Sequence, residues 1–289
     1  MDWDDLKIFL HVARQPKLEE VAAHLHIDAT TISRRIKRLE QELGLTLFER
    51  TRRGHALTPA GDRLAAQVET IESVSFDILS ESSAEQTASG RIRLGAPEGL
   101  GSTVIAPALS GFRKAHPKID IDLIALSGFV SVPKRQADMS VLLARPSAGR
   151  LKVRKLSDYT LKLYGTTSYL KRRGNVTSLD QLQNHTLVGY VDDLIYSAQL
   201  RYFDELLPGL TPHLCSPSIV AQLEMVRASA GLGILPVFMA AGYPELVNLL
   251  PEDIDVKRTF WLAIHQDVAS LTRNKLMTEF LVERMATLP

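Results

Sequence analysis

Apolar positions in the first sixty residues recur at helical spacing. Leu6, Phe9, Leu10 and Ala13 fall at i, i+3, i+4 and i+7, as do Leu18, Val21, Ala22 and Leu25, so each set lines one face of a short amphipathic helix. Pro16 separates the two. A third helix is expected after Asp28, whose carboxylate can cap the free N–H groups of the next turn. It carries Ile32, Ile36, Leu39 and Leu43 on one face and ends at Gly44. Three short helices joined by tight turns form a helix-turn-helix candidate. Residues 45–48 and 56–58 then read as two extended segments around a tip that holds Arg50, Arg52, Arg53 and Gly54, the pattern of a basic hairpin or wing. Thr58 and Pro59 open a further helix, with threonine as cap and proline at the first helical position. On it Leu64, Val68, Ile71 and Ile78 keep an apolar rhythm toward the polar stretch 80–90, about 28 residues or roughly 40 Å of helix. A stripe that long needs a partner. A second chain in a two-stranded coiled coil is the economical one, and packing against the chain's own C-terminal part is the alternative.

From residue 91 the pattern becomes an alternation of strands and helices. Strands are expected at 92–95, 119–124, 137–143, 161–165, 187–190 and 233–236, and helices at 104–115 and 219–230. Such alternation predicts an open α/β sheet with right-handed crossovers. The whole is therefore an α+β multi-domain chain.

Composition narrows the function. A length of 289 residues suits about two domains, and 45% apolar with 23% charged residues is the balance of a globular protein. No apolar run reaches the roughly 18 to 20 residues of a membrane-spanning helix. Asp2, Asp4 and Asp5 stand where a secretory signal would be basic, so a cytoplasmic, nucleoid-associated protein is expected. The single cysteine, Cys215, excludes an internal disulfide and a Cys-pair zinc site, and the eight histidines lack metal-ligand spacing. No metal or cofactor is expected. The net charge of +1 hides a local excess: residues 29–58 hold seven basic against three acidic side chains.

Projection at 100° per residue puts Thr30, Arg34 and Lys37 opposite the apolar face of the third helix, with Thr31, Ser33 and Arg38 on its flanks. Guanidinium, ammonium and hydroxyl groups suit base edges and phosphates in a major groove. Arg50, Arg52 and Arg53 at the wing suit a minor groove or backbone. The alternative is an ordinary solvated face.

The run from Leu6 to Phe9, Leu18 with Val21 to Leu25, Ser33 to Gly44 and Leu47 to Gly61 resembles the LysR-type transcriptional regulators, colinearly over some sixty residues. The sequence departs from the family pattern at Lys17 and at Ala29 and Thr30, which bears on base preference. The C-terminal part resembles the effector domain of the same family through residues 107–117, Ala137 and Asp138, Leu163 and Tyr164 with Tyr169 and Leu170, and residues 229–236. That domain shares the fold of type 2 periplasmic binding proteins. The resemblance implies a winged helix-turn-helix over 1–58, a linker helix and hinge over 59–90 that dimerises through Leu64, Val68, Ile71 and Ile78, and an effector-binding domain over 91–289. Its two subdomains would be about 91–162 with 267–289, and 163–266, with a ligand in the cleft between them. The implied partners are double-stranded DNA with dyad half-sites, a small-molecule effector and a second or further copies of the chain, as dimer or tetramer. RNA polymerase is a further candidate partner, and no membrane is expected.

Candidate chemistry in the C-terminal part is modest. Residues 95–103 follow a strand and open a helix, but they lack the lysine of a phosphate loop, and Val104 breaks a GxGxxG pattern. Ser102 and Thr103 at that helix start either cap it or offer hydroxyls and free N–H groups to an anion such as a carboxylate. Ser127, Gly128 and Phe129 follow the second strand of this half, while Asp192, Asp193 and Ser216 face the cleft from the other half. These residues form the expected effector site, for an anionic ligand. Cys215 has no base beside it in sequence and reads as packing. No catalytic residue is expected. A binding protein or enzyme with a degenerate N-terminal domain is the competing reading, and such a chain would have lost the basic face that is present here.

Overall fold

The computed structural model describes residues 2–15, 17–51, 54–81, 88–128, 137–147, 149–206 and 209–288. Asp2 accepts the N–H of Asp4 at 3.1 Å and caps α1 (Trp3–Arg14), placing a carboxylate where the helix has unpaired donors. α2 (Leu18–Leu25) ends at His26 in the left-handed region, φ 54°, which turns the chain sharply into α3 (Ala29–Leu43). Asp28 caps α3 through the Thr30 N–H at 2.8 Å. Gly44 closes it at φ 65°, a conformation that costs glycine nothing. β1 (Phe48–Thr51) and β2 (Gly54–Leu57) form an antiparallel hairpin, with Phe48 opposite Leu57 and Thr51 opposite Gly54.

α4 (Pro59–Glu81) spans 23 residues. Its first turn is held by Thr58, whose Oγ1 accepts the Gly61 N–H at 3.0 Å and donates to the Thr46 carbonyl at 2.7 Å. One core joins these elements: Leu6, Phe9 and Leu10 of α1, Val21 of α2, Ile32, Ile36 and Leu39 of α3, Leu47, Phe48 and, from α4, Val68. The inward stripe of α3 is thus the one its sequence predicts.

The chain divides into two compact units, Met1–Gly90 and Arg91–Pro289. In the second, β3 (Gly90–Pro97) leads directly into a helical run of α5 (Glu98–Leu100), a π turn (Gly101–Ile105) and α6 (Ala106–Ala115). There follow β4 (Ile119–Leu126), β5 (Met139–Leu142), β6 (Leu151–Thr166), α7 (Thr167–Arg173), β7 (Leu187–Gly189), α8 (Tyr202–Leu206) and β8 (Leu214–Cys215). The unit ends with α9 (Ile219–Arg227), β9 (Leu232–Pro236), α10 (Val237–Ala240), β10 (Leu246–Leu249), β11 (Val256–His265) and α11 (Thr272–Ala286).

Among the described residues these strands make one nine-stranded sheet in the order β4-β3-β5-β11-β6-β9-β7-β8, with β10 also on β6. It is mixed, not a simple parallel array: β3 with β5 and β7 with β8 and β9 are parallel, whereas β11 with β5 and β6, and β6 with β9 and β10, are antiparallel. β6 and β11 form a long ribbon, from Val256 opposite Leu161 to His265 opposite Leu151. β5 attaches at the 261–264 end of β11, and β9 and β10 attach at the 161–166 end of β6. The ribbon therefore carries a lobe at each end. α11 returns to the first lobe, where the Arg273 Nε donates to the Arg91 carbonyl at 3.0 Å and Phe280 meets Phe112 edge-on at 5.1 Å.

Candidate nucleic-acid interface and ligand cavity

Burying Ile32 and Leu39 completely and Ile36 to 8% exposure turns the opposite side of α3 outward. Thr30, Ser33, Arg34 and Lys37 are exposed there, and Thr31 is half-buried. The Thr30 hydroxyl donates to Asp28 at 2.7 Å. Among the described residues Arg34 and Lys37 make no ion pair. Two cations of the same helix are spent differently: Arg38 Nε donates to Asp5 Oδ2 at 2.8 Å and its NH2 pairs with the same oxygen, while Arg35 reaches Asp5 Oδ1 at 3.4 Å. The Asp5 side chain is fully buried, so it requires these partners. Arg38, expected on a flank of the reading face, ties α3 to α1 and keeps its side chain about half exposed. The helical projection put it on a flank but could not show a carboxylate arriving from α1.

The wing is braced by Glu40, whose Oε1 accepts the Leu47 N–H at 2.7 Å and the Phe48 N–H at 3.3 Å. Arg52, Arg53 and the side chain of Arg50 lie outside the described residues. The apolar stripe of α4 divides. Val68 is 1% exposed in the core of the first unit and Leu64 packs against that core, so neither is a free coiled-coil position. Ile71 is 45% exposed. The side chain of Ile78 lies outside the described residues.

In the second unit a cavity of about 450 Å³, measured to its open mouth, lies between the lobes over the middle of the β6–β11 ribbon. Its walls carry Tyr159, Tyr190, Tyr196, Tyr202, Phe238 and Phe260, so four of the chain's seven tyrosines meet here. Tyr159 and Phe260 stack at 4.0 Å. A second cavity of about 540 Å³ shares Pro97, Leu143 and Tyr196 with the first and is lined also by Gly128 and Ser197. Burial holds all four phenols protonated: it raises Tyr159, Tyr190 and Tyr202, and pushes Tyr196 up to about 12 with help from the Glu98 carboxylate. The Tyr202 hydroxyl is buried beside that of Tyr190, which donates toward it and is itself raised by doing so. No Lys, Arg or His lines either cavity among the described residues.

Glu98 lines the first cavity and joins the lobes. Its Oε1 accepts the Ser218 hydroxyl at 2.8 Å, and its Oε2 accepts the Ile219 N–H at 3.1 Å and the Ser127 hydroxyl at 2.7 Å. A carboxylate of the chain itself thus sits at the start of α9, where the helix favours negative charge.

The expected effector residues separate accordingly. Ser127 lines the first cavity through its bond to Glu98, and Gly128 lines the second. Phe129 lies outside the described residues. Ser102 and Thr103 line neither, because the helical run begins at Glu98 and they fall in its π turn. Ser102 is exposed there, and the Thr103 hydroxyl donates to the Gly99 carbonyl at 2.7 Å. Asp192 is exposed and paired with Arg201, and Asp193 is exposed. Ser216 accepts the Ser218 N–H at 3.2 Å and so shapes the approach to α9, while its neighbour Pro217 lines the cavity. Sequence reasoning missed Glu98 and the tyrosines. The gathering of Tyr190, Tyr196 and Tyr202 within thirteen residues was the available signal.

A three-helix unit with a wing, followed by a two-lobed sheet domain with an interlobe cavity, defines a DNA-binding protein joined to a ligand-binding module. Residues 3–62 match the profile of bacterial regulatory helix-turn-helix proteins of the lysR family, and residues 85–286 match that of the LysR substrate binding domain. The chain belongs to the LysR family of DNA-binding transcriptional regulators, which are not enzymes. It is similar to the HTH-type transcriptional regulator PgrR of Escherichia coli (30% identical over 186 residues, 64% of this chain and 62% of that protein). CrgA of Neisseria meningitidis is 24% identical over 98% of this chain and 96% of its own length. Among solved structures, full-length CrgA superposes with a TM-score of 0.62 at 21% identity, covering 99% of this chain and 100% of that one. ArgP from Mycobacterium tuberculosis does so at 0.68 and 16% identity, covering 100% and 98%. These two likenesses show the fold.

Proposed function

We propose that Thr30, Ser33, Arg34 and Lys37 form the surface that reads double-stranded DNA, with Thr31 and the Asp5-bound Arg38 at its edge and the wing arginines Arg50, Arg52 and Arg53 alongside. The observation that carries this reading is the pair of cations, Arg34 and Lys37, that make no ion pair among the described residues and stand on the outward face of a helix whose opposite face is buried in the core. A helix so placed can enter a major groove with its hydroxyls and cations toward bases and phosphates. Residues 1–58 would be the DNA-binding part, 59–90 the linker and 91–289 the effector-binding part, with subdomains of about 91–162 with 267–289, and 163–266. The interlobe cavity is the proposed effector site. A ligand touching both lobes biases their relative closure, and that closure is the signal passed to a proposed dimer or tetramer on dyad half-sites.

The test is a mobility-shift titration of the full chain across salt concentrations. Arg34→Ala with Lys37→Ala is expected to weaken binding and to flatten the log–log salt slope by about 0.9 for each lost phosphate contact. Unchanged affinity and slope, in a variant that melts like the parent, overturn the assignment.

A further inference from the structure

We infer that the interlobe cavity takes an uncharged molecule of one or two rings, bearing one hydrogen-bond acceptor that Tyr202 donates to, and that Glu98 turns carboxylates away. This rests on the proposed effector site and goes further by naming the ligand's chemistry.

Three independent observations lead there. First, the walls are aromatic and aliphatic, with Tyr159 and Phe260 stacked as a flat platform and Phe238 against both at 5.9 and 6.1 Å. Flat rings pack well on such surfaces. Second, the wall holds the buried hydroxyl of Tyr202, which takes the Tyr190 hydroxyl as a donor and, among the described residues, has no acceptor for its own proton. Because burial keeps this phenol protonated, it is a donor, and a carbonyl or ring-nitrogen acceptor on a ligand completes it. Third, the chain has already placed an anion at the place that attracts one. Glu98 occupies the N-terminus of α9 and takes the donors of Ser127, Ser218 and Ile219. A ligand carboxylate entering here loses its water and meets a like charge, with no cation on the walls to offset either cost. The guanidinium whose charge reaches Tyr159 and Tyr202 belongs to Arg258, and it is paired with Glu205. The expected anionic ligand rested on Ser102 and Thr103 at a helix start, and the helix starts instead at an acidic residue.

The experiment is calorimetry on the full chain with three matched probes: acetophenone, which has a ring and a neutral acceptor; toluene, which lacks the acceptor; and benzoate, which carries the charge. Acetophenone is expected to bind at least about tenfold more tightly than benzoate. Tyr202→Phe is expected to weaken acetophenone about five- to tenfold, the worth of one hydrogen bond, and to leave toluene unchanged. In Glu98→Gln the discrimination against benzoate shrinks. Leu143→Phe and, separately, Leu200→Phe fill the cavity and abolish binding of every probe, with melting curves confirming that each variant folds. If benzoate binds as tightly as acetophenone and both are lost in the filled variants, the ligand class is overturned and the site stands. Acetophenone binding that ignores Tyr202→Phe overturns the role of that hydroxyl. If no probe binds, or if binding survives in the folded filled variants, the cavity itself is overturned as the effector site.

Discussion

Arg34 and Arg38 lie one helical turn apart on α3, yet the environment gives them opposite tasks. Arg34 projects outward, while Arg38 joins Arg35 in neutralising the buried Asp5. Removing both partners leaves a carboxylate in the core uncompensated, which is far costlier than losing a surface pair. Arg35→Ala with Arg38→Ala is therefore expected to lower the melting temperature of the first unit by several degrees, whereas Arg34→Ala leaves it unchanged. Thermal denaturation followed by circular dichroism separates the two. The tyrosines permit a second prediction. Each cavity phenol has a folded pKa above its unfolded value near 10, so the folded state keeps a proton that the unfolded chain releases. The resulting stability is complete below pH 10 and is lost as pH rises through the folded value; for Tyr196 the window runs from 10 to about 12. Denaturant titrations across that window are expected to show falling stability, with a shallower fall in Tyr196→Phe.

α4 shows how one helix can serve two surfaces. Its first turn passes so close to the residue that leads into the wing that a Cβ on Gly61 would stand 2.2 Å from the Leu47 carbonyl oxygen. Backbone cannot yield as a flexible side chain does, so Gly61→Ala is expected to cost about 1–3 kcal/mol of stability, the range for overpacking. A chemical denaturation midpoint unchanged from the parent contradicts that close approach. Further along, Leu64 and Val68 belong to the core of the first unit, and Ile71 does not. Leu64→Asp therefore unfolds that unit. Ile71→Asp leaves it folded and tests self-association instead.

At the scale of the whole molecule, the proposed assembly and signal depend on surfaces that a single chain leaves open. Ile71→Asp is expected to shift light-scattering mass toward the monomer and to weaken operator binding, since one half-site supplies only part of the contact energy. A mass that does not change removes α4 from the interface. Within the second unit Glu98 holds the two lobes together through Ser127 on one side and Ser218 and Ile219 on the other. Replacing its charge in Glu98→Gln is expected to speed hydrogen exchange in the first turn of α9, where the carboxylate had favoured the exposed helix N–H groups. Protection equal to that of the parent would count against a joining role.

What the sequence determined by itself was whatever depends on neighbours along the chain. Caps at Asp28 and Thr58, the glycine stop at Gly44, the 3.6-residue stripe of Ile32, Ile36 and Leu39 and the hairpin around 50–55 are set within a few residues, where side-chain geometry and backbone bonding act locally. The motifs carrying the family resemblance lie in that same local grammar. Tertiary structure decided what depends on distant partners. The long β6–β11 ribbon was missed in part: its buried 161–165 end reads as a strand, whereas residues 151–158 are largely polar and none is buried, and a mixed sheet leaves no trace in the order of its elements. Which arginine ties α3 to α1 was settled by Asp5, thirty-three residues from Arg38. Which carboxylate lines the cavity was settled by Glu98 reaching across 121 residues to the N–H of Ile219. Such pairings are set by the close packing of whole elements against one another, and no local pattern encodes them.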